Sequence, residues 1–359
     1  MPARSARNGS AMRLSTVMLA LVGVVVLSSG CAGGGDDPAA GAPAAAGQPG
    51  HGLIVFKRFD PKIAKVRLYT IRPDGSGLRP LTRPGPNADN DSDADFSPDG
   101  RRIAFGRVFQ SGAPDAVMVV NRDGSGLRDL TRTACTGDCL GYAQPAWSPN
   151  GRRIAVMGAI GPLPSDGPPA VVGIFVMDAN GSNVRQLTQL QPNSGTEDHS
   201  PTWSPDGRRI AFMRANNTAA PENASAIYTV KADGSDLRLV RRMPRKWPGA
   251  GAPDWSPDGK RLLFSTFCWF GPCGQAPTGA QLFTIKPNGD GLRKLTHLRG
   301  NSYNAGWSPD GRKIVFAHHR ALGPEGDIYT INADGSGVRR LTHKPKLDSH
   351  RPDWGRASR

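Results

Sequence analysis

Hydrophobic residues fall in two patterns along the chain. One is a single unbroken run, LSTVMLALVGVVVL from Leu14 to Leu27. The other begins at residue 52, where short apolar runs of strand length alternate with polar turns rich in Gly, Pro, Asp and Asn. Short runs of this kind, bounded by turn residues, are read as strands.

The short runs repeat. DFSPDGRRIAF at Asp95 recurs as AWSPNGRRIAV at Ala146, TWSPDGRRIAF at Thr202, DWSPDGKRLLF at Asp254 and GWSPDGRKIVF at Gly306, with serines at 97, 148, 204, 256 and 308. The spacings of 51, 56, 52 and 52 residues are those of a repeat architecture. A second motif lies between them: LYTIRPDGSGLRPLT from Leu68, VMVVNRDGSGLRDLT from Val117, IFVMDANGSNVRQLT from Ile174, IYTVKADGSDLRLVR from Ile227, LFTIKPNGDGLRKLT from Leu282 and IYTINADGSGVRRLT from Ile328. Asp-Gly and Asn-Gly supply the positive φ that a tight hairpin needs. Each unit therefore predicts four strands: one ending at the aromatic before SPDG, then RRIAF, IYTV and LRxLT.

Six hairpins accompany only five SPDG turns. GLIVF at Gly52 is a second strand without its first, and RPDWGRAS, from Arg351 to Ser358, repeats the PTWS and PDWS pattern at the other end. The expectation is an all-β chain, a six-bladed β-propeller of four-stranded blades, its ring closed by the C-terminal strand completing the first blade. Closure of this kind shields sheet edges.

These motifs resemble the WD-like repeat of the TolB-type six-bladed β-propellers; the Gly-His and Trp-Asp pairs of true WD repeats are absent. The resemblance covers 52–355. It does not include the α/β domain that precedes the propeller in TolB, so a role in the Tol-Pal system is not carried over.

The Leu14–Leu27 run changes the picture at the N-terminus. Arg4, Arg7 and Arg13 precede it without an acid, and its fourteen residues suit the apolar core of a secretory signal better than a membrane span. LSSGC, ending at Cys31, resembles the bacterial lipoprotein processing box. Residues 1–30 are thus expected to be a lipoprotein signal peptide, Cys31 the lipid anchor, 31–51 a disordered Gly/Ala/Pro tether and 356–359 a C-terminal tail. The product would be exported and anchored to a membrane on its extracytoplasmic side. Its loss of three arginines lowers the formal charge only from +15 to +12, so basicity belongs to the folded part. Export argues against nucleic acid as a partner.

The loops entering each innermost strand would form one mouth of the channel, where Asp91, Asp93, Tyr142, Asp198, His199, Tyr303, Asn304 and His350 are the candidate binding residues. His199 and His350 share a register, four before the tryptophan. Two imidazoles beside carboxylates suit a divalent metal; equally, a water-filled channel has polar walls. NADNDSDADF imitates an EF-hand by alternating aspartates, but Ala94 stands where the loop needs glycine and no glutamate follows at the twelfth position. Five cysteines include two local pairs, Cys135 with Cys139 and Cys268 with Cys273, which fit disulfides in an exported protein. GxSxG and HExxH motifs are absent. The sequence points to a monomeric scaffold that binds a protein or an envelope polymer and needs no cofactor. The alternatives are a metal-dependent hydrolase or lyase at the channel mouth, and a purely structural envelope element.

Overall fold

The computed structural model describes residues 52–86, 88–109, 113–161, 171–191, 194–216, 225–242, 249–266, 279–320, 326–343 and 349–356. The signal peptide, Cys31, the tether, the Cys268 and Cys273 pair and residues 357–359 lie outside them. The described residues are all-β, without a helix. The first strands are β1 (Ile54–Asp60), β2 (Lys65–Ile71) and β3 (Arg79–Pro80). Next come β4 (Ala88–Phe96), β5 (Arg102–Phe109), β6 (Ala116–Asn121) and β7 (Arg128–Asp129), followed by β8 (Cys139–Trp147), β9 (Arg153–Ile160), β10 (Val171–Asp178) and β11 (Arg185–Gln186). The chain continues through β12 (Thr196–Trp203), β13 (Arg209–Asn216), β14 (Ser225–Lys231) and β15 (Arg238–Arg242), then β16 (Ala250–Trp255), β17 (Leu262–Thr266), β18 (Leu282–Ile285) and β19 (Arg293–Lys294). It ends with β20 (Asn301–Trp307), β21 (Lys313–His319), β22 (Asp327–Asn332), β23 (Arg339–Arg340) and β24 (Ser349–Trp354).

Four sheets are separate four-stranded antiparallel meanders, β8 to β11, β12 to β15, β16 to β19 and β20 to β23. The remaining strands form two such groups, β24-β1-β2-β3 and β4-β5-β6-β7, joined by one parallel bridge between Val66 and Asn90. The C-terminal β24 thus takes the first place in a sheet begun by β1, with Ile54 opposite Trp354 and Arg58 opposite Ser349.

Two recurring devices shape the units. In the Ser-Pro-Asp-Gly turn the serine hydroxyl donates to the aspartate and accepts the N–H of the residue five on: Ser97 Oγ to Asp99 at 2.6 Å, Arg102 N–H to Ser97 Oγ at 2.9 Å. The turn ends on a left-handed glycine, Gly100 at φ 67°. In the LRxLT segment the threonine hydroxyl accepts a backbone N–H of the third strand: Thr82 from Leu68, Thr131 from Val117, Thr188 from Ile174, Thr296 from Leu282 and Thr342 from Ile328, all at 2.9–3.0 Å. That bond ends the fourth strand after two residues. Where the sequence has Val240-Arg241 instead, the ladder runs on and β15 reaches five residues.

Apolar residues of the first three strands pack between neighbouring sheets. Ala146, Ile174 and Val176 of one group meet Trp203, Ile210, Phe212 and Val230 of the next. The same layer joins the last group to the first, where Val315, Ile328 and Leu341 pack on Ile54, Phe56, Ile71 and Trp354. The first strands of the groups contact one another in a cycle: β4 with β8, β8 with β12, β12 with β16, β16 with β20, β20 with β24 and β24 with β4.

Candidate functional site

Each of these innermost strands carries one left-handed residue three positions before its aromatic: Asp93, Gln144, Ser200, Ala252, Asn304 and Arg351, with φ between 49° and 54°. The pairing with the second strand slips at the same place, for example between Ser92 and Asp95 and between His199 and Thr202. It is a β-bulge, which re-aims side chains and leaves the ladder locally broken. A left-handed L-residue costs about 1–2 kcal/mol, and no glycine occupies any of the six positions. Neighbouring strands are linked there. Arg351 forms an ion pair with Asp93, and the Gln144 amide oxygen accepts the Ser200 N–H at 2.7 Å.

Asp93 and Asn304 thus stand in this ring of bulges. Asp91 and Asp198 do not present free carboxylates. Each is fully buried and clamped by two nitrogens of an arginine on its own second strand: Arg107 Nε and Nη2 reach Asp91 at 2.7 and 2.9 Å, and Arg214 does the same to Asp198 at 2.6 and 2.8 Å. The guanidiniums stack on the core, Arg107 over Phe105 and Arg214 over Phe212 and Tyr228. Tyr142 is buried edge-on to Phe175 at 5.7 Å within the apolar layer, and burial raises its phenol above the ordinary value. These three sequence-identified residues therefore sit inside the units that they were expected to decorate.

The two imidazoles are held apart. His199 on β12 meets Glu197 through Nε2 and Met157 through Nδ1, each at 3.0 Å. His350 on β24, three places round the cycle, meets the Tyr303 hydroxyl through Nδ1 at 3.1 Å, and its ring lies 4.8 Å from that of His319. Tyr303 also bonds His319 Nε2 at 2.5 Å. Sequence reading did not single out His319, because it lies on the second strand, away from the loop entering the first. Among the described residues no group of three or more His, Cys, Asp or Glu is arranged to hold a metal ion.

A second cluster escaped the sequence reading: the acids immediately before the aromatic, Asp95, Asp254 and Asp353. Each accepts the backbone N–H of an aromatic on another innermost strand, from Trp147 to Asp95 at 2.6 Å, Trp307 to Asp254 at 2.8 Å and Phe96 to Asp353 at 2.9 Å. Thr202 also donates to Asp254 at 3.3 Å. Burial, reinforced by mutual repulsion, pushes Asp254 up to about 7, and burial pushes Asp353 up to about 6; Asp95 is raised for both reasons. The signal was present in the sequence as DF, DW and DW against AW, TW and GW. Outside this cluster, Cys135 and Cys139 form a disulfide with their Cα atoms 5.1 Å apart.

No family model matches the chain. Among curated proteins, "Uncharacterized peptidase YuxL" of Bacillus subtilis (strain 168) is 26% identical over 145 residues, 33% of this chain and 21% of that protein. The Tol-Pal system protein TolB of Alcanivorax borkumensis is 37% identical over 89 residues, 24% of this chain and 18% of the relative. The matches span only about a fifth of these relatives' length. Among solved structures, TolB from Acinetobacter baumannii aligns at a TM-score of 0.60 with 17% identity, over 85% of this chain and 66% of the other. An oligogalacturonate lyase in complex with manganese aligns at 0.52 with 16% identity, over 77% and 71%. Such identities bear on architecture, since one fold hosts many functions. The two recurring motifs, the meandering four-stranded sheets and these superpositions together give the chain the fold of a TolB-like β-propeller.

Proposed function

We propose that the chain is a lipid-anchored extracytoplasmic binding scaffold. Its body, 52–355, is a single six-bladed propeller closed by β24 and held by Cys31 through the 31–51 tether after loss of 1–30. As a monomer it presents its channel mouth to a protein or an envelope polymer. Closure is supported at the perimeter. Arg79, Arg185 and Arg293 donate to carbonyls of the next unit's hairpin, at Arg122, Ala232 and Asp334, and Arg339 of the last unit donates to the Asp74 carbonyl of the first at 2.9 Å.

The observation that carries recognition is the ring of bulges. Its backbone repeats six times, whereas its side chains are acidic, amide, hydroxyl, methyl, amide and basic in turn. A fold that needed only the geometry would use glycine there. Side chains kept at a conformational cost, and different in every unit, are what a specific contact surface requires. The test is capture from detergent-solubilised envelopes by wild type and by the D93A/R351A double variant. Loss of the same partner in the variant, with unchanged thermal stability, supports the reading; undiminished capture contradicts it. Detergent-phase partitioning lost in C31S tests the anchor.

A metal-dependent lyase or hydrolase is the second reading. The manganese-bound lyase shares the fold, and the grouping of Tyr303, His319 and His350 favours such a reading here. Stoichiometric metal in the purified protein would support it; none, with stability unchanged by chelator, would remove it. A protein with neither partner nor metal would be the structural element.

A further inference from the structure

Four positions into the buried part of each second strand, a side chain faces the innermost strand five positions before its aromatic. In two units this pair is Arg107 with Asp91 and Arg214 with Asp198. In another it is His318 with Ser302, Nδ1 to Oγ at 3.0 Å. In the β8 to β11 unit Tyr142 fills the space over Gly158, where a Cβ would come within 2.9 Å of its ring. The β24-β1 unit has Arg58 and Ser349.

Arg58 is the exception among the three arginines. It is 2% exposed, yet only its Nε is bonded to a neighbouring side chain, to Ser349 Oγ at 2.8 Å, and Nη2 has no partner. Its guanidinium lies 5.1 Å from the Phe56 ring centroid and 5.4 Å from that of Tyr69. The acid whose field reaches it, Asp327, is already occupied by Arg340 at 2.5 Å and Thr342 at 2.6 Å. A buried guanidinium without a counter-charge is costly, and a bidentate carboxylate is its best partner. The other two units supply that carboxylate from the chain. This one has a serine in its place.

We propose that Arg58 is the receptor of an anion site that takes the carboxylate of an acidic ligand, filling the position that Asp91 and Asp198 hold in their own units. Arg58 lies two residues before the end of β1, which runs into the exposed turn 61–64. Carboxylate is favoured over tetrahedral oxyanions because the chain itself uses carboxylates at the equivalent positions. This assignment is independent of which macromolecule meets the ring of bulges.

The experiment compares thermal unfolding of wild type, R58Q and S349D in sodium chloride and in three carboxylate salts, sodium formate, acetate and citrate, with sodium sulfate and phosphate as controls, at equal ionic strength. Ligands that bind only the folded state raise its stability in proportion to occupancy. Wild type is expected to show a saturable rise of about 2 °C or more in a carboxylate salt. R58Q should show none. S349D, which supplies the missing carboxylate internally, should melt higher than wild type in chloride and be insensitive to added carboxylate. If S349D does not fold, the comparison with R58Q decides alone. A wild type unresponsive to all three salts, a response of equal size in R58Q, or a saturable response to sulfate or phosphate but not to carboxylates would each overturn the proposal.

Discussion

Replacing Asp254 by asparagine should stabilise the protein at alkaline pH and do so progressively less as pH falls. The carboxyl lies among Asp95 and Asp353, accepts the Trp307 N–H and is raised from 3.8 to about 7, chiefly by burial. A carboxyl with a raised folded value binds more protons in the folded than in the unfolded chain between those two limits. Its contribution to stability therefore falls as pH rises through about 4 to 7. The rise of about three pH units corresponds to about 4 kcal/mol carried against the fold once the group is charged. Asparagine keeps an oxygen for the Trp307 N–H and removes the charge. His318 works in the opposite direction over part of this range: burial lowers it from 6.5 to about 4, so its contribution grows as pH rises between those values. The parent's pH profile mixes these effects with those of Asp95, Asp115 and Asp353, whose carboxyls are also raised; the difference between variant and parent reports Asp254 together with its repulsion of the neighbouring acids. Urea unfolding of both proteins at pH 4.5, 6 and 8.5 should give a stability difference in favour of D254N of about 1, then about 3, then about 4 kcal/mol. A difference independent of pH, or an asparagine variant less stable than its parent at pH 8.5, would refute the reasoning.

Three further perturbations test the unit itself. Thr342→Val removes the acceptor of the Ile328 N–H and the donor to Asp327, and urea unfolding should show a loss of about 1–3 kcal/mol. Arg107→Met strands the buried Asp91 carboxylate and should cost about 3–5 kcal/mol by the same measurement, most of it recovered when Asp91 is also replaced by leucine. The Cys135–Cys139 bridge closes a loop of sequence separation 4, and breaking it should cost about 2 kcal/mol, read as a lower urea midpoint under reducing conditions.

The architecture was legible because its determinants are local and repeat. The SPDG turn, the Asp-Gly hairpin and the alternating apolar runs each act within a few residues, and RPDWGRAS betrayed the strand that pairs with β1. The site was legible only as a register. The loops before each aromatic do contain the left-handed bulge, and Asp93 and Asn304 lie at it. Asp91, Asp198 and Tyr142 were placed at the mouth because the residues that absorb them, Arg107, Arg214 and Phe175, lie on other strands, 16 or more residues away. Comparing units two strands at a time would have exposed the pattern. Arg107 and Arg214 each follow an IAF core in a unit whose first strand carries an aspartate five before the aromatic, and Arg58 lacks that aspartate. The trio of Asp95, Asp254 and Asp353 was overlooked for a similar reason: each acid looks like part of its turn motif, and only proximity across the innermost strands couples them.

In the proposed closed ring the last unit's hairpin lies against the first, and the channel mouth exists only if the ring closes. Spin labels at Ser76 and Ser336, in a background with Cys31 replaced by serine, measure this directly, and labels at Ser76 and Ser125 give the spacing of two units that are neighbours in sequence. All three serines are exposed hairpin residues. Electron–electron resonance should return the same distance for the first-to-last pair as for the neighbouring pair. A first-to-last distance much longer than the neighbouring one, as in an open array, would contradict the closed propeller and the channel mouth that rests on it.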